Sequence, residues 1–444
     1  MVTPQLLSID ATGRDATAEI QTAIDQVAAC GGGRVSLLAG EHVAGGLLLK
    51  SGVELHLAEG VLLRPIPDYH AYRDTAVRVI AEKSDRGMIV ARNAENVRIT
   101  GPGRIEAGGE HFITGDDPDV GTFIPAEFRP RVVVFEGCRA VCLDGFQVTG
   151  SPMWTLHLAD CDDVVIRAVT ITNDRRLPNT DGIVLDACRR VLIEGCIIST
   201  ADDGICLKTS AGPDGKAIGT CEDVTVRRCT VSSLSCALKL GTESFGDFCN
   251  IAFEDCTVSE SNRGLGLFSR DGGHMRNIRF SRIEVDCHET LDGFWGSGEA
   301  LTVTVVDRRP ARRAGTVENL LVEEISGRME GAINLVSTSD AGIRNVELNR
   351  ITLAQQPGRL GTGLRYDLRP TFADIAPGAE AAGRANAWTR GADGRIIGLL
   401  DYPGGMPAIF LKGVDGLVAE DVAVKRPVRL PEGWNAQDIV EETR

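Results

Sequence analysis

The chain has 444 residues, of which 43% are hydrophobic and 25% charged, with a formal net charge of -15 and a pI near 5.0. This composition excludes a disordered chain, and no apolar run is long enough for a membrane-spanning helix. An acidic surface of this kind repels nucleic-acid phosphates and anionic membranes, so neither is an expected partner.

Met1 to Arg14 shows no basic segment followed by a long apolar stretch, so no leader is expected and the cytoplasm is the expected compartment. The 13 cysteines lack zinc-type CxxC pairing and read as reduced core thiols, which points the same way. Ala16 to Ala29 is an amphipathic helix with Ile20, Ala23, Ile24, Val27 and Ala28 on one face. Asp15 is its expected N-cap and Gly31 to Gly33 its stop, so residues 15–30 form a cap for the open end of a solenoid. Because Gly31 to Gly33 comes after a helix and not a strand, it is a turn and not a phosphate cradle.

The solenoid is written in a repeat. Seven-residue segments recur in one register, from CLDGFQV at Cys142 through LIEGCII at Leu192 and TVRRCTV at Thr225 to VAEDVAV at Val418. Their fifth positions read Phe146, Val169, Cys196, Cys229, Cys256, Ile283, Ile325, Ile351 and Val422. A short alternating strand that returns every 23 to 33 residues cannot bury its apolar face alone; stacked copies can. The expected architecture is an all-β parallel β-helix of roughly ten coils, one domain over 1–444. Second strands lie between copies, such as GIVLDAC (Gly182 to Cys188), GICLKTS (Gly204 to Ser210) and CALKLGT (Cys236 to Thr242). Two intervals are long: residues 286–319 hold an insertion around Trp295, and residues 354–412, with Tyr366, Trp388 and Tyr402, form an insertion or lid-like region. A surface excursion or an oligomer contact is the other reading of that region.

Two acidic turns stand out. Asn179-Thr180-Asp181-Gly182 enters GIVLDAC, and Asp202-Asp203-Gly204 enters GICLKTS, 21 residues or about one coil later. Equivalent places on neighbouring coils stack roughly 4.8 Å apart. Asp181, Asp202 and Asp203 should therefore meet on one face. An Asp before a strand is often only a turn former, but two acidic turns in register are more than one turn needs. Three carboxylates so close cannot all ionise freely, and a raised acid beside an ionised base is what glycosidic cleavage requires. His274 and His288 lack the Cys, His or Asp company of a metal site, and no cofactor is expected.

The motif NTDG, then ADDGICLKT a coil later, resembles the polygalacturonase family, glycoside hydrolase family 28. SPMWTLHL (Ser151 to Leu158) and the N-terminal AIDQVAACGGGRVSLLAGEHVAGGLLLKSGVEL are similar to it as well, and the likeness runs from about residue 8 to 350. The resemblance implies a right-handed, metal-independent, inverting glycosidase acting on an oligosaccharide. Asp202 would protonate the leaving oxygen, Asp181 and Asp203 would activate water, and Asn179 would orient the cluster. The chain departs from the family where Gly-His-Gly reads Ser235-Cys236-Ala237, and where Arg-Ile-Lys falls near Gly266-Leu267-Phe268. Cys236 thus stands in the histidine's place, and the basic pair that grips a uronate is missing. Lys239, Arg263 and Arg270 are candidates to supply charge from displaced positions, Glu243 is a further polar contact, and Phe268 is expected to face a sugar's apolar edge. These departures imply a neutral or deoxy sugar at the cleavage subsite of a pectin-related glycan. Two alternatives stay open, a β-helix polysaccharide lyase or epimerase and a non-catalytic glycan-binding solenoid; assembly into an oligomer is compatible with each.

Overall fold

The structure is a computed structural model that describes residues 5–77, 79, 83–118, 121–291, 294–371 and 391–443; Trp388 lies outside these residues. Two long parallel sheets run the length of a right-handed β-helix. One, the site sheet, stacks short strands that include Leu156–Ala159, Ile183–Asp186, Ile205–Thr209, Cys236–Ser244, Arg263–Ser269, Leu301–Val305, Ile333–Ser337 and Ile409–Lys412. The other, the ladder sheet, carries the seven-residue repeat. Early coils there use two strands, as in Arg189–Glu194 and Ile197–Thr200, and later coils fuse them into 13-residue strands such as Met275–Cys287.

The ladder has the expected register. Ile283, Ile325, Ile351 and Val422 pair in sequence, and Phe146 through Ile351 are at most 3% exposed, with Val422 half-buried at the end. Cys196, Cys229 and Cys256 stack inward, their flanking residues Ile197, Thr230 and Thr257 pair in register, and all three thiols are free. A second buried thiol stack, Cys138, Cys161 and Cys188, lies at the other end of these ladder strands, just before Arg189–Glu194 and its equivalents. The residue before each ladder position turns the chain through the left-handed region, as at Ala168, Arg228, Asp255, Arg282, Glu324 and Arg350.

A second left-handed column is built from amides. Asn250, Asn277, Asn319 and Asn345 have φ of 52–56°, a conformation that asparagine tolerates. Each side chain hands a hydrogen bond down the stack: Asn345 donates to Asn319 (3.2 Å), Asn319 to Asn277 (3.1 Å), Asn277 to Asn250 (3.1 Å) and Asn250 to Asp223 (3.0 Å). Asn277→Ala loses two of these bonds and forces an alanine into the left-handed region. A loss of about 1–2 kcal/mol is expected, smaller for Asn277→Gly, read from paired urea melts. Equal melts for Ala, Gly and wild type would count against a stabilising ladder.

The helix runs Thr17–Ala29 and buries Ile20, Ala23, Ile24 and Val27 against the first coil. Its N-cap position is Ala16 and not Asp15, although the Asp15 carboxylate still accepts from the Thr17 amide at 2.9 Å. The side chain reaches the first turn from one residue further out, so it satisfies a free N–H without occupying the cap. Within 354–412, Arg365–Asp367 pairs antiparallel with Leu399–Asp401, and Ile409–Lys412 rejoins the site sheet.

Candidate active site

Register brings the acidic turns together. Ile183 pairs with Ile205, so two residues upstream Asp181 falls beside Asp203; the Gly182 amide donates to the Asp203 carbonyl at 2.9 Å. Continuing the same column reaches Cys236 and Arg263, which pair with each other. Asp181, Asp202 and Asp203 are all at least nine-tenths buried.

The turn that presents Asp181 is braced from several sides. Asn179 adopts a left-handed φ of 62°, and its Oδ1 accepts from Arg129 at 2.6 Å. Arg129 also donates to the carbonyls of Pro152 and Pro178. Asn173 donates to the Thr180 carbonyl and to Thr155 Oγ1, both at 2.9 Å, which ties the Ser151 to Leu158 segment to the same turn. The Asp202 backbone carbonyl takes hydroxyl hydrogen bonds from Thr200 (2.6 Å) and Ser233 (2.7 Å), and its Oδ1 accepts from the Asp203 amide at 3.0 Å. These contacts fix the carboxylates before any ligand arrives.

Two buried lysines complete the site. Lys239 Nζ lies 2.6 Å from Asp203 Oδ2, while Ser235 Oγ donates to Asp203 Oδ1 at 3.0 Å. Lys208 Nζ lies 2.8 Å from Glu243 Oε2 and 4.8 Å above the Trp154 ring. Burial works against a charged ammonium, yet Cys206, Glu243 and Asp181 around Lys208, and Asp203 and Cys206 around Lys239, outweigh it and hold both protonated well above the ordinary lysine range. Glu243 is held well below the usual carboxylate range because Lys208 and Arg308 overcome its burial. Asp181 moves the other way. Burial first, then the charges of Asp202 and Asp203, raise its proton affinity far above normal, against the opposing pull of Lys208 and Lys239. The three-aspartate cluster therefore carries a proton where ordinary aspartates would carry none.

Four residues expected to touch substrate are placed elsewhere. Cys236 is fully buried, and burial pushes its thiol up and out of the reactive range, so it stands in for the histidine in position only. Phe268 is fully buried too, with Lys239, Arg263 and Arg270 packed 5.4, 4.9 and 5.9 Å from its ring centre; it shows no face to a sugar. Arg263 is paired with Asp367 at 3.0 Å. Arg270 donates to the carbonyls of Ser269, Thr304, Leu368 and Pro370, and burial followed by the nearby Arg308 pulls it down to about 9. Strand alternation points Phe268 and Arg270 outward, opposite the core-facing Leu265 and Leu267, but another part of the chain covers them.

Lys208, Trp154 and Asp367 are site residues that sequence reasoning missed. Lys208 had a readable signal, since it comes two residues after Cys206 in GICLKTS and so shares its outward face. Trp154 sits inside the SPMW segment, and Asp367 had no local signal at all. Among the described residues, no group of three or more His, Cys, Asp or Glu side chains is arranged to hold a metal ion.

The model of glycosyl hydrolases family 28 matches residues 73–290. A probable polygalacturonase of Vitis vinifera is 27% identical over 269 residues, covering 56% of this chain and 52% of that protein. A polygalacturonase of Juniperus ashei is 24% identical over 265 residues, covering 56% and 50%. The chain thus spans about half the length of the curated relatives it matches. Among solved structures, an exopolygalacturonase from Thermotoga maritima superposes with a TM-score of 0.66 at 23% identity, over 79% of this chain and 88% of that one. The polygalacturonase from Erwinia carotovora gives 0.61 at 19%, over 79% and 93%. With NTDG and ADDG one coil apart on such a helix, the family 28 glycosyl hydrolase model matches residues 73–290, which hold both motifs, and the likeness is that of a divergent relative.

Proposed function

We propose that the protein hydrolyses O-glycosyl bonds of a plant or microbial oligosaccharide related to pectin, by inversion. The observation that carries this reading is the buried cluster of Asp181, Asp202 and Asp203, in which one carboxyl is forced to keep a proton. Coupled carboxyls titrate as a unit, so the proton resting on Asp181 in the free protein belongs to the cluster. With a sugar bound, Asp202, the most exposed of the three, donates it to the leaving oxygen, and Asp181 and Asp203 draw the attacking water.

Charge favours a neutral or deoxy sugar at the cleavage subsite. Each cation near the cluster already has a partner: Lys239 has Asp203, Lys208 has Glu243, Arg263 has Asp367, and Arg270 has backbone carbonyls. A uronate placed there meets three aspartates with no uncommitted counter-charge among these four. Rhamnose-containing oligosaccharides are therefore expected to be cut faster than polygalacturonate, with NMR showing the inverted anomer first. Rapid turnover of polygalacturonate would reverse the subsite assignment. An unsaturated, ultraviolet-absorbing product lost on chelation would make the protein a lyase, and saccharide binding without turnover would make it a binding solenoid.

A further inference from the structure

A glycan lying along the helix axis and passing over the carboxylates would next cross the outward side chains of the adjoining coils. Register defines two such rows. One runs Lys239, Gly266, Thr302, Asn334 and Phe410; the other runs Phe268, Thr304, Val336 and Lys412. On an open groove these rows face water. Here Phe268, Thr302, Thr304, Asn334, Val336 and Phe410 are all buried.

The cover is a second apolar cluster on the outside of the site sheet. Tyr366, Leu368, Tyr402 and Met406 pack over Val336 and Phe410, with the Tyr366 and Phe410 ring centres 4.9 Å apart. The Tyr402 hydroxyl reaches Asn334 Oδ1 at 3.0 Å. Nearer the carboxylates the segment is fastened by charge. Asp367 accepts from Arg369 (2.8 Å) and from the Gly296 amide (2.8 Å), and pairs with Arg263, which shares a register column with Asp203. Arg270 ties down the Leu368 and Pro370 carbonyls at 3.0 and 3.1 Å. Ion pairs this dry are costly to form unless their geometry is well satisfied, which marks the segment as a built wall and not a loose surface loop.

The opposite side is covered as well. Met153 and Trp154 pack on Val184, the outward neighbour of Cys206, and buried Arg131 contacts His157 at 2.6 Å in the same row. The carboxylates therefore lie in a pit bounded along the helix axis at both ends.

We infer that the site takes the end of a glycan chain and not its interior, with residues 364–371 as the wall that imposes this. The inference rests on the glycosidase reading above. One sugar enters between Trp154 and the wall of residues 364–371, and the rest of the glycan leaves toward solvent instead of along the sheet.

The test uses the wild-type protein, polygalacturonate and rhamnose-containing pectic oligosaccharides of graded length, with products sized at low conversion. Release of the smallest sugars alone is expected, from parents that shorten stepwise, and blocking one particular chain end should abolish release. Fragments of intermediate length from the first time points, or cutting of substrates blocked at both ends, would overturn the inference and leave the glycosidase reading standing. No release from any of these glycans would overturn that reading and this inference with it.

Discussion

Asp202→Asn is expected to lower turnover by about 10²–10⁴-fold, the share that a positioned general acid supplies, with the fold intact. The amide oxygen can still accept from the Asp203 N–H, so the local turn survives. The substitution also removes the leading charge that raises Asp181's proton affinity, which gives the variant a signature in its stability. In the wild type, Asp181 binds its proton more tightly folded than unfolded. Stability from this group is therefore complete below the ordinary carboxylate pKa and is lost as pH rises through the raised folded value. With Asp202 neutral, that loss shrinks. The variant should match the wild type near pH 4 and exceed it near neutrality in urea melts across pH. Turnover within a few-fold of wild type would remove Asp202 from the chemistry, and a stability gain independent of pH would disconnect it from Asp181.

Lys239→Ala should cost about 3–5 kcal/mol, because it strands Asp203 in a buried site without its ammonium. The same ammonium lies 5.4 Å from the Phe268 ring centre, so the substitution also removes a cation from the face of that ring. Asp203→Asn on the alanine background should recover part of the loss, since the amide needs no counter-charge, and the double variant should be less than additive. Activity is expected to fall on every glycan alike, as Asp203 changes partner. A fall confined to polygalacturonate, with rhamnose-containing substrates spared, would instead make Lys239 the uronate contact and reverse the subsite assignment.

How much was legible divides along a physical line. The repeat at 23 to 33 residues, the inward column from Phe146 to Ile351, the cap helix and the meeting of Asp181 with Asp203 were all readable, because a solenoid makes neighbours of residues one coil apart. Sequence spacing there is spatial spacing. The fates of Arg263, Arg270 and Phe268 were not readable. Strand alternation sets Phe268 and Arg270 outward, where a cation or an aromatic ring normally meets solvent or substrate, and would turn Arg263, two residues before the core-facing Leu265, inward; nothing within a coil's length says that all three are covered. Their burial is imposed by Asp367 and its neighbours, 104 residues further on from Arg263, which return across the outer face of the sheet. The β-helix and the carboxylate cluster are thus encoded in contacts one coil away, which residue order alone reveals. Which outward residues stay accessible depends on long-range packing, because the segment that covers them carries no period that would place it.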